Sequence, residues 1–355
     1  MRYDTQLLGL ADAAERAGAL ADAGIDGVFT FEGPHDPFTP LVLAAGARRG
    51  LDVSTNVAIA LPRNPLQLAH QAYDLQVLAE GRFHLGLGSQ IRPQIERRYG
   101  AAFHPPVGRM REMVAALRAI FACWQDGTPL DFRGDYWTHT YMPPLFNPGP
   151  NPYGPPPILL GALGPRMTEM VAEVADGLLV MPFHTRRFLA ERTLPAVARG
   201  LAAGQRRPQD LRIVCEAIVC TGRTEAELAT AEAGVRYLLG FYGSTPAYRA
   251  VLEVHGWGDL QTELHALSKA GRWDEMAGLV DDEMLRTLAV HGSPADVATE
   301  IVDRYGAIAD RVAFYFPYLA ADDLVAELVG QLHHRDPARP VVPTGAAADV
   351  PGSSP

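Results

Sequence analysis

The sequence predicts an α/β protein, a (β/α)8 barrel with a helical insertion between strands seven and eight. Eight short apolar runs alternate with longer helical patterns along the 355 residues. Each run is almost continuously apolar, which is typical of parallel strands covered by helices. Eight such strands close a barrel. The alternative is an open, doubly wound sheet, but the first run ends in Leu8-Gly9-Leu10 and lacks the G-x-G-x-x-G turn of a dinucleotide-binding sheet.

The strands are predicted where Val, Leu, Ile and Phe concentrate between glycines and prolines. They cover residues 3–8, 26–32, 53–61, 82–88, 157–161, 177–182, 211–221 and 311–317. Helices are predicted between them over residues 11–23, 38–49, 65–79, 106–124, 165–175 and 187–200. In the helix 106–124, apolar residues recur at spacings of three and four and so define one buried face.

Two long segments interrupt this alternation. Residues 126–156 are rich in proline and show no period, which indicates a loop wrapped over the barrel rim. Residues 222–310 are predicted to be mostly helical, including helices 225–242, 246–255 and 294–305. We therefore expect one barrel domain over residues 1–335. Residues 336–355, with five prolines and several small residues, are predicted to form a disordered tail.

Composition excludes several classes of function. The net charge is −10 and basic residues do not cluster, so nucleic acid is not an expected partner. Three cysteines match neither a disulfide framework nor a zinc site, which favours a reducing cytoplasm and no bound metal. The N-terminus does not resemble a signal peptide, and no apolar run approaches the ~20 residues needed to cross a bilayer. We expect a cytoplasmic protein that acts on a small molecule.

Polar residues gather where the predicted strands end, which is where barrels of this kind carry their active sites. His35 and Asp36 follow the second strand, Asn56 and Val57 lie in the third, and His184 follows the sixth. The fourth strand ends in Gly86-Leu87-Gly88-Ser89-Gln90. A histidine after a strand is well placed for catalysis, but it can equally cap the next helix, and this segment alone does not decide between the two interpretations.

The fifth strand runs through a turn of small residues into a helix: Gly161-Ala162-Leu163-Gly164-Pro165-Arg166. Glycine allows close approach of a ligand, and the free amides at a helix start attract phosphate. Arg166 would add a positive charge. The turn is therefore a candidate phosphate site, although an ordinary strand-to-helix turn has the same composition. Gly86-Leu87-Gly88 is a weaker signal, because glycine in a strand more often marks close backbone packing.

Four motifs together resemble one family. They are Glu32 to Phe38, Gly81 to Gln90, Arg109-Met110-Arg111-Glu112, and the Gly161 turn followed by Ala175-Asp176-Gly177. The chain resembles the bacterial-luciferase-like superfamily, and within it the coenzyme F420-dependent oxidoreductases of an actinobacterial type. The resemblance implies a TIM barrel that holds F420, or alternatively FMN, at its C-terminal mouth. It also implies a homodimer or a higher homo-oligomer.

The resemblance assigns roles to individual residues. It implies phosphate binding at Gly161, Ala162, Leu163, Gly164 and Arg166, and a bulge in the third strand with a non-prolyl cis peptide between Asn56 and Val57. The cofactor site is further predicted to include Asp36, Gly88, Ser89, Gln90 and His184. Relatives that oxidise sugar phosphates carry a tryptophan and a glutamate where this chain has Thr39 and Ile91. A sugar-phosphate dehydrogenase is therefore not expected.

The predicted reaction is hydride transfer between deazaflavin and a small organic substrate. His35 is the candidate catalytic residue, because histidine exchanges protons near neutral pH, and Asp36 would orient it. His184 is a second candidate. Two alternatives stay open: an FMN-dependent monooxygenase, and a barrel that binds flavin without catalysis. Metal-dependent hydrolysis is disfavoured, because no H-x-H follows the first strand.

Overall fold

The structure is a computed structural model that describes residues 1–48 and 50–335. Eight parallel strands form its centre: β1 (Arg2–Gln6), β2 (Gly27–Thr30), β3 (Asp52–Thr55), β4 (Phe83–Gly88), β5 (Ile158–Ala162), β6 (Gly177–Val180), β7 (Arg212–Thr221) and β8 (Arg311–Tyr315). The sheet closes because β7 pairs with β6 on one side and β8 on the other, while β8 pairs with β1. The predicted eight-stranded barrel is confirmed.

Helices surround the strands. They are α1 (Ala13–Asp22), α2 (Thr39–Ala47), α3 (Pro65–Leu78), α4 (Pro106–Asp126), α5 (Pro165–Val174), α6 (Leu194–Ala203), α7 (Glu225–Gly243), α8 (Arg249–Glu253), α9 (Gly258–Lys269), α10 (Trp273–Gly278), α11 (Asp282–Leu288), α12 (Pro294–Tyr305) and α13 (Asp322–Arg335). The helix predicted over residues 38–49 ends at Ala47, and residue 49 lies outside the described residues. The predicted tail, residues 336–355, also lies outside them.

The two faces of the strands bury different clusters. Alternate residues such as Cys215 and Ala217 of β7 join the large core between strands and helices. The intervening positions face the lumen, where the side chains of Phe29, Leu159, Leu179, Val214 and Ala313 form an apolar cluster. The lumen is therefore packed, and a ligand can enter it only from above this cluster.

A buried ionic network fills the N-terminal end of the barrel. Arg311 of β8 donates to both carboxylate oxygens of Asp4 in β1 and to Asp52 in β3, and the three side chains are almost fully buried. His84 lies beside this network and contacts Arg212 at 2.9 Å. Burial, and then the charges of Arg311 and Arg212, lower the pKa of His84 to about 3, so the imidazole is neutral. This end of the barrel serves stability.

The third strand is shorter than predicted. A continuous strand is expected over residues 53–61, but β3 ends at Thr55 and pairing with β4 resumes only at Ala58. Three residues, 55–57, here face two residues of β4, which is a β-bulge. The Asn56–Val57 peptide within it is cis, as the family resemblance implies.

The two interrupting segments differ in part from expectation. Residues 126–156 run from the C-terminal end of α4 to the start of β5, and contacts within them reach back to the first turns of α4, where Arg109 lies over the ring of Tyr136. A small hairpin in this segment packs outside α4, where Glu112 accepts hydrogen bonds from the amides of Asp135, Tyr136 and Trp137. The segment 222–310 is mostly helical, but a short strand, Val290–Gly292, extends the sheet beside β7.

The family motifs outside the mouth are structural. Arg111 makes a bidentate ion pair with Glu173, which ties α4 to α5. Asp176 accepts from the amide of Ile158 at 2.8 Å and so sets the start of β5. A search of residues 1–48 and 50–335 finds no helix with the length and apolar character needed to span a bilayer.

Candidate functional site

The bulge forms the floor of the C-terminal mouth. Val57 and Phe31 are partly exposed and pack on top of the lumen cluster. A Cβ atom on Gly88 would lie 2.6 Å from Cγ2 of Val57, and one on Gly161 would lie 3.3 Å from Cγ1. Both glycines therefore make room for the Val57 side chain. Gly88 therefore marks close packing, as expected for a glycine within a strand. This packing leaves Val57 as a floor on which a flat ring can lie.

Glu32 holds the floor and the histidine turn together. Its carboxylate is nearly buried and accepts hydrogen bonds from the amide of Ile59, the guanidinium of Arg63 and the hydroxyl of Tyr99. Its own amide donates to the carbonyl of Val57. Sequence reasoning quoted Glu32 within a motif but gave it no role. Its partners come from β3 and the β4–α4 loop, and therefore no local pattern could have identified it.

The histidine turn leaves His35 available for chemistry. His35 is exposed, and its side chain makes no hydrogen bond or ion pair within residues 1–48 and 50–335. Asp36 takes the capping role that was an alternative for His35: one carboxylate oxygen accepts from the amides of Phe38 and Thr39 at 2.9 and 3.0 Å. The prediction that Asp36 orients His35 is not supported, because this carboxylate is engaged by the start of α2. The contact of Asp36 with a cofactor stays a prediction, because its second carboxylate oxygen is not used by the start of α2.

The turn after β5 has the form expected of an anion site. Gly164 precedes α5, and no side chain caps the helix, so its first amides lack partners from a capping group. A Cβ on Gly164 would meet no atom within 4 Å. Arg166 is exposed and forms no ion pair with any described residue. Ala162 is buried in the wall, whereas Leu163 is half-buried.

Two other predicted residues, His184 and Asn56, have different surroundings. His184 is 1% exposed, its Nδ1 lies 2.8 Å from the carbonyl of Met181, and burial lowers its pKa to about 4. It packs against Tyr305 within the wall, so we remove it from the cofactor site. Asn56 is buried and lines a small lumen cavity of about 10 Å³, close to the lower limit for holding one water. Its Nδ2 has no partner.

The fourth strand ends at the surface of the mouth. Ser89 is half-buried, whereas Gln90 is exposed and has a positive φ of 56°. The Gln90 side chain accepts from the amide of Ile91 at 2.9 Å, so it stabilises its own turn. Ser89 and Gln90 directly follow Gly88, so both lie next to the floor.

A buried acid in the lumen was missed. Glu216 follows Val214 by two positions on β7 and pairs in register with Ala313, so it faces the lumen closer to the mouth than the apolar cluster. Burial raises the pKa of Glu216 to about 8, so its carboxyl is mostly neutral at pH 7. Two tyrosines, Tyr242 of α7 and Tyr315 of β8, lie within electrostatic range of it. Strand periodicity would have placed Glu216 inside the barrel once the strand was assigned.

Comparison with known proteins agrees with this arrangement. The sequence profile of the luciferase-like monooxygenase family matches residues 2–311. A Mycobacterium bovis protein named only as uncharacterized is 50% identical over 303 residues, which make up 85% of this chain and 89% of that protein. A Mycobacterium tuberculosis protein provisionally named a coenzyme F420-dependent oxidoreductase is 28% identical over 301 residues, covering 79% of this chain and 83% of its relative.

Solved structures share the fold. The coenzyme F420-dependent tetrahydromethanopterin reductase of Methanopyrus kandleri superposes with a TM-score of 0.76 at 18% identity, covering 93% of this chain and 97% of that one. An F420-dependent secondary alcohol dehydrogenase superposes with a TM-score of 0.71 at 16% identity, covering 93% of this chain and 98% of its own. At these identities the likeness establishes the barrel fold alone.

Proposed function

Because the chain belongs to the luciferase-like monooxygenase family, we propose that it is an F420-dependent oxidoreductase that transfers hydride between the deazaflavin and a small organic substrate. The observation that carries the proposal is the floor of the mouth, where the Val57 side chain lies between Gly88 and Gly161. The choice of deazaflavin is supported by the Mycobacterium tuberculosis relative whose name includes F420.

The residues at the mouth fit a flat ring with a phosphate-bearing tail. Val57 offers a small apolar surface, and the glycines beside it add no side chain that would cover it. In this proposal the floor supports the ring, and Ser89 and Gln90 border it. The phosphate would be held by the turn from Gly161 to Gly164 and by the uncapped start of α5 that follows it. Arg166, which has no ion pair with a described residue, would add a positive charge.

When bound, the deazaflavin supplies the carbon that gives or takes the hydride. His35 is positioned to hold the proton that must be added to or removed from the substrate heteroatom. Its turn is fixed from two sides, because Glu32 anchors the strand end and Asp36 caps the following helix. The imidazole itself stays free for the substrate. A turn held in this way keeps His35 close to the geometry that proton transfer needs.

The substrate is proposed to be something other than a sugar phosphate. Thr39 lies at the first position of α2, where it donates its hydroxyl to Asp36 at 3.1 Å and provides no aromatic surface. Ile91 is half-buried beside the floor and supplies no carboxylate. Thr39 and Ile91 therefore lack the aromatic ring and the carboxylate that the sugar-phosphate enzymes carry at these positions.

The proposal is tested by titrating the purified protein with F420 and, separately, with FMN while following fluorescence. We expect F420 to bind more tightly than FMN. Tight binding of FMN together with no binding of F420 would favour the alternative, an FMN-dependent monooxygenase, and would overturn the deazaflavin assignment. Failure of both cofactors to bind would reject the cofactor site.

His35→Ala is expected to leave F420 affinity nearly unchanged and to slow turnover about tenfold or more, because the proton at the substrate heteroatom loses its carrier. Turnover is measured with the substrate that a panel of small alcohols and carbonyl compounds identifies for the wild type. His334→Ala, at an exposed position of α13, is the control and should match the wild type. Equal turnover in the His35 variant would remove His35 from the mechanism, as a non-catalytic flavin-binding barrel requires.

Gly161→Leu is expected to weaken F420 binding about tenfold or more, because the new side chain must displace Val57 from the floor. The measurement is the same fluorescence titration, with circular dichroism to verify folding. Gly330→Ala is the control, since a Cβ at Gly330 meets nothing within 4 Å. Unchanged affinity in the Gly161 variant would move the cofactor site away from this floor.

A further inference from the structure

The carboxyl group of Glu216 has no role in the proposed hydride transfer and no partner within the protein. The side chain is 5% exposed, and it makes no hydrogen bond or ion pair among residues 1–48 and 50–335. The Glu216 oxygens are not among the fully buried, unpartnered side-chain atoms of the described residues, so solvent still reaches the carboxyl and a ligand can reach it as well.

The position of Glu216 connects the lumen to the mouth. It lies one lumen layer above Val214, and Phe31 covers the same apolar cluster from above. The Phe31 ring is 6.0 Å from the ring of Tyr315, which pairs in register with Ile218 on β7. Glu216 is thus placed under the rim formed by the histidine turn and the last strand.

The helical insertion, residues 222–310, borders Glu216 through Tyr242. Tyr242 of α7 interacts with Tyr315 through its hydroxyl group, and both tyrosines are within electrostatic range of Glu216. Tyr242 also packs edge-on against Phe183, which follows β6. Glu216 and the paired tyrosine hydroxyls thus bring hydrogen-bond donors together with aromatic surfaces that can contact an apolar ligand, and one tyrosine proton is already used between the two hydroxyls.

Among residues 1–48 and 50–335, no cation contributes to the pKa of Glu216. Burial is the cause that raises its pKa to about 8, and the ionisable groups turned toward it are Tyr242 and Tyr315. Burial also raises the pKa of both tyrosines. At neutral pH the wall therefore presents uncharged donors, and it lacks the positive charge that a buried carboxylate or phosphate would need.

We propose that Glu216 donates a hydrogen bond to an uncharged carbonyl oxygen of a ligand at the mouth, with Tyr242 and Tyr315 beside it, and that this pocket selects against carboxylates. The inference rests on the proposed function for the location of the ligand. The carbonyl belongs to the small substrate or to the cofactor ring, and both present the same acceptor. Where the acceptor is the substrate, the pocket takes neutral carbonyl compounds, or the alcohols that they become on reduction.

The test uses acetophenone labelled with carbon-13 at its carbonyl, benzoate as its anionic counterpart, and F420. Each is titrated into the full chain and into Glu216→Gln, which keeps a donor, and Glu216→Leu, which removes it. We expect a downfield shift of the bound acetophenone carbonyl in the wild type and in Glu216→Gln at about pH 6. In Glu216→Leu we expect loss of the shift and about tenfold weaker binding. Glu225→Gln, on the exposed start of α7, is the control.

Infrared spectra at the same pH should show a protonated carboxyl band that Glu216→Gln loses. In the wild type the acetophenone shift should fade as the pH rises past about 8, where the donor proton leaves. Loss of F420 affinity in Glu216→Leu with unchanged acetophenone would identify the cofactor carbonyl as the acceptor, which also supports the proposal. Benzoate binding as tightly as acetophenone, or no response of either ligand to Glu216→Leu, would overturn it. If neither F420 nor FMN binds the wild type, the cofactor assignment fails, whereas the acetophenone result still decides the pocket.

Discussion

Gly86→Ala is expected to destabilise the barrel by about 3 kcal/mol or more, at the upper end of overpacking effects. A Cβ at this position would lie 1.8 Å from the carbonyl oxygen of Thr55, which is a backbone atom. The Thr55 hydroxyl also bridges both backbone groups of Gly86, donating to its carbonyl at 2.7 Å and accepting from its amide at 2.9 Å. These bonds replace the strand pairing that the bulge interrupts, so neither strand can move away without losing them.

The measurement is urea unfolding followed by circular dichroism. Gly18→Ala is the matched control, because Gly18 lies inside α1 and its Cβ would meet nothing within 4 Å. Alanine is a better helix former than glycine, so this control is expected to stabilise the protein by up to about 1 kcal/mol. A Gly86 variant that unfolds at the wild-type urea concentration would contradict the described contact between β3 and β4.

Arg311→Met is expected to cost about 3–5 kcal/mol of unfolding free energy at pH 7, because it leaves two buried carboxylates without their cation. Arg311 holds Asp4 through both carboxylate oxygens and Asp52 at 2.6 Å. The exposed Arg2 bonds the same Asp52 at 2.7 Å. Arg2→Met is therefore the control, and as a surface ion pair it should cost about 1 kcal/mol or less.

The effect of Arg311→Met should depend on pH. In the wild type, burial raises the pKa of Asp4, whereas for Asp52 burial is outweighed by the charges of Arg311 and Arg2, which lower the pKa. Without Arg311, both carboxyls are expected to have raised pKa values in the folded state. The folded variant then binds more protons than the unfolded chain, so its stability falls as the pH rises above the ordinary carboxyl range.

Unfolding at about pH 4 and at pH 7 measures this dependence. The difference between the wild type and Arg311→Met should be smaller at the acidic pH, where protonated carboxyls tolerate burial. An equal difference at both pH values would show that the loss comes from packing of the arginine side chain and not from unpaired charge.

Much of the fold could be predicted because its signals are local. Apolar runs punctuated by glycine and proline specified eight strands, and the observed β1 to β8 overlap every predicted range. The position of the cis peptide came from the family resemblance and is confirmed between Asn56 and Val57. The errors are also local in origin. Val53 and residues 57–61 are apolar and flank Ser54-Thr55-Asn56, so composition indicated one strand and could not reveal the bulge that divides it.

The candidate site was predicted less completely. The roles at the histidine turn depend on backbone direction, which decides that Asp36, not His35, reaches the amides of α2. His184 follows a strand as predicted, but its ring turns into the wall against Tyr305. Glu32 and Glu216 received no role, because the partners of one and the neighbours of the other come from distant parts of the chain.

The sequence by itself determined the barrel, the strand ends on which chemistry depends and the family to which they correspond. Periodicity and short motifs record these features because each depends on neighbours a few residues away. Only the tertiary structure decided which groups are charged, buried or free. Arg311 meets Asp4 across 307 residues and Asp52 across 259, and Glu216 is neutral because closure of the barrel removes water from it. The solvation of a side chain and its ion pairs depend on which distant residues the fold brings together, so no local segment of the sequence reveals them.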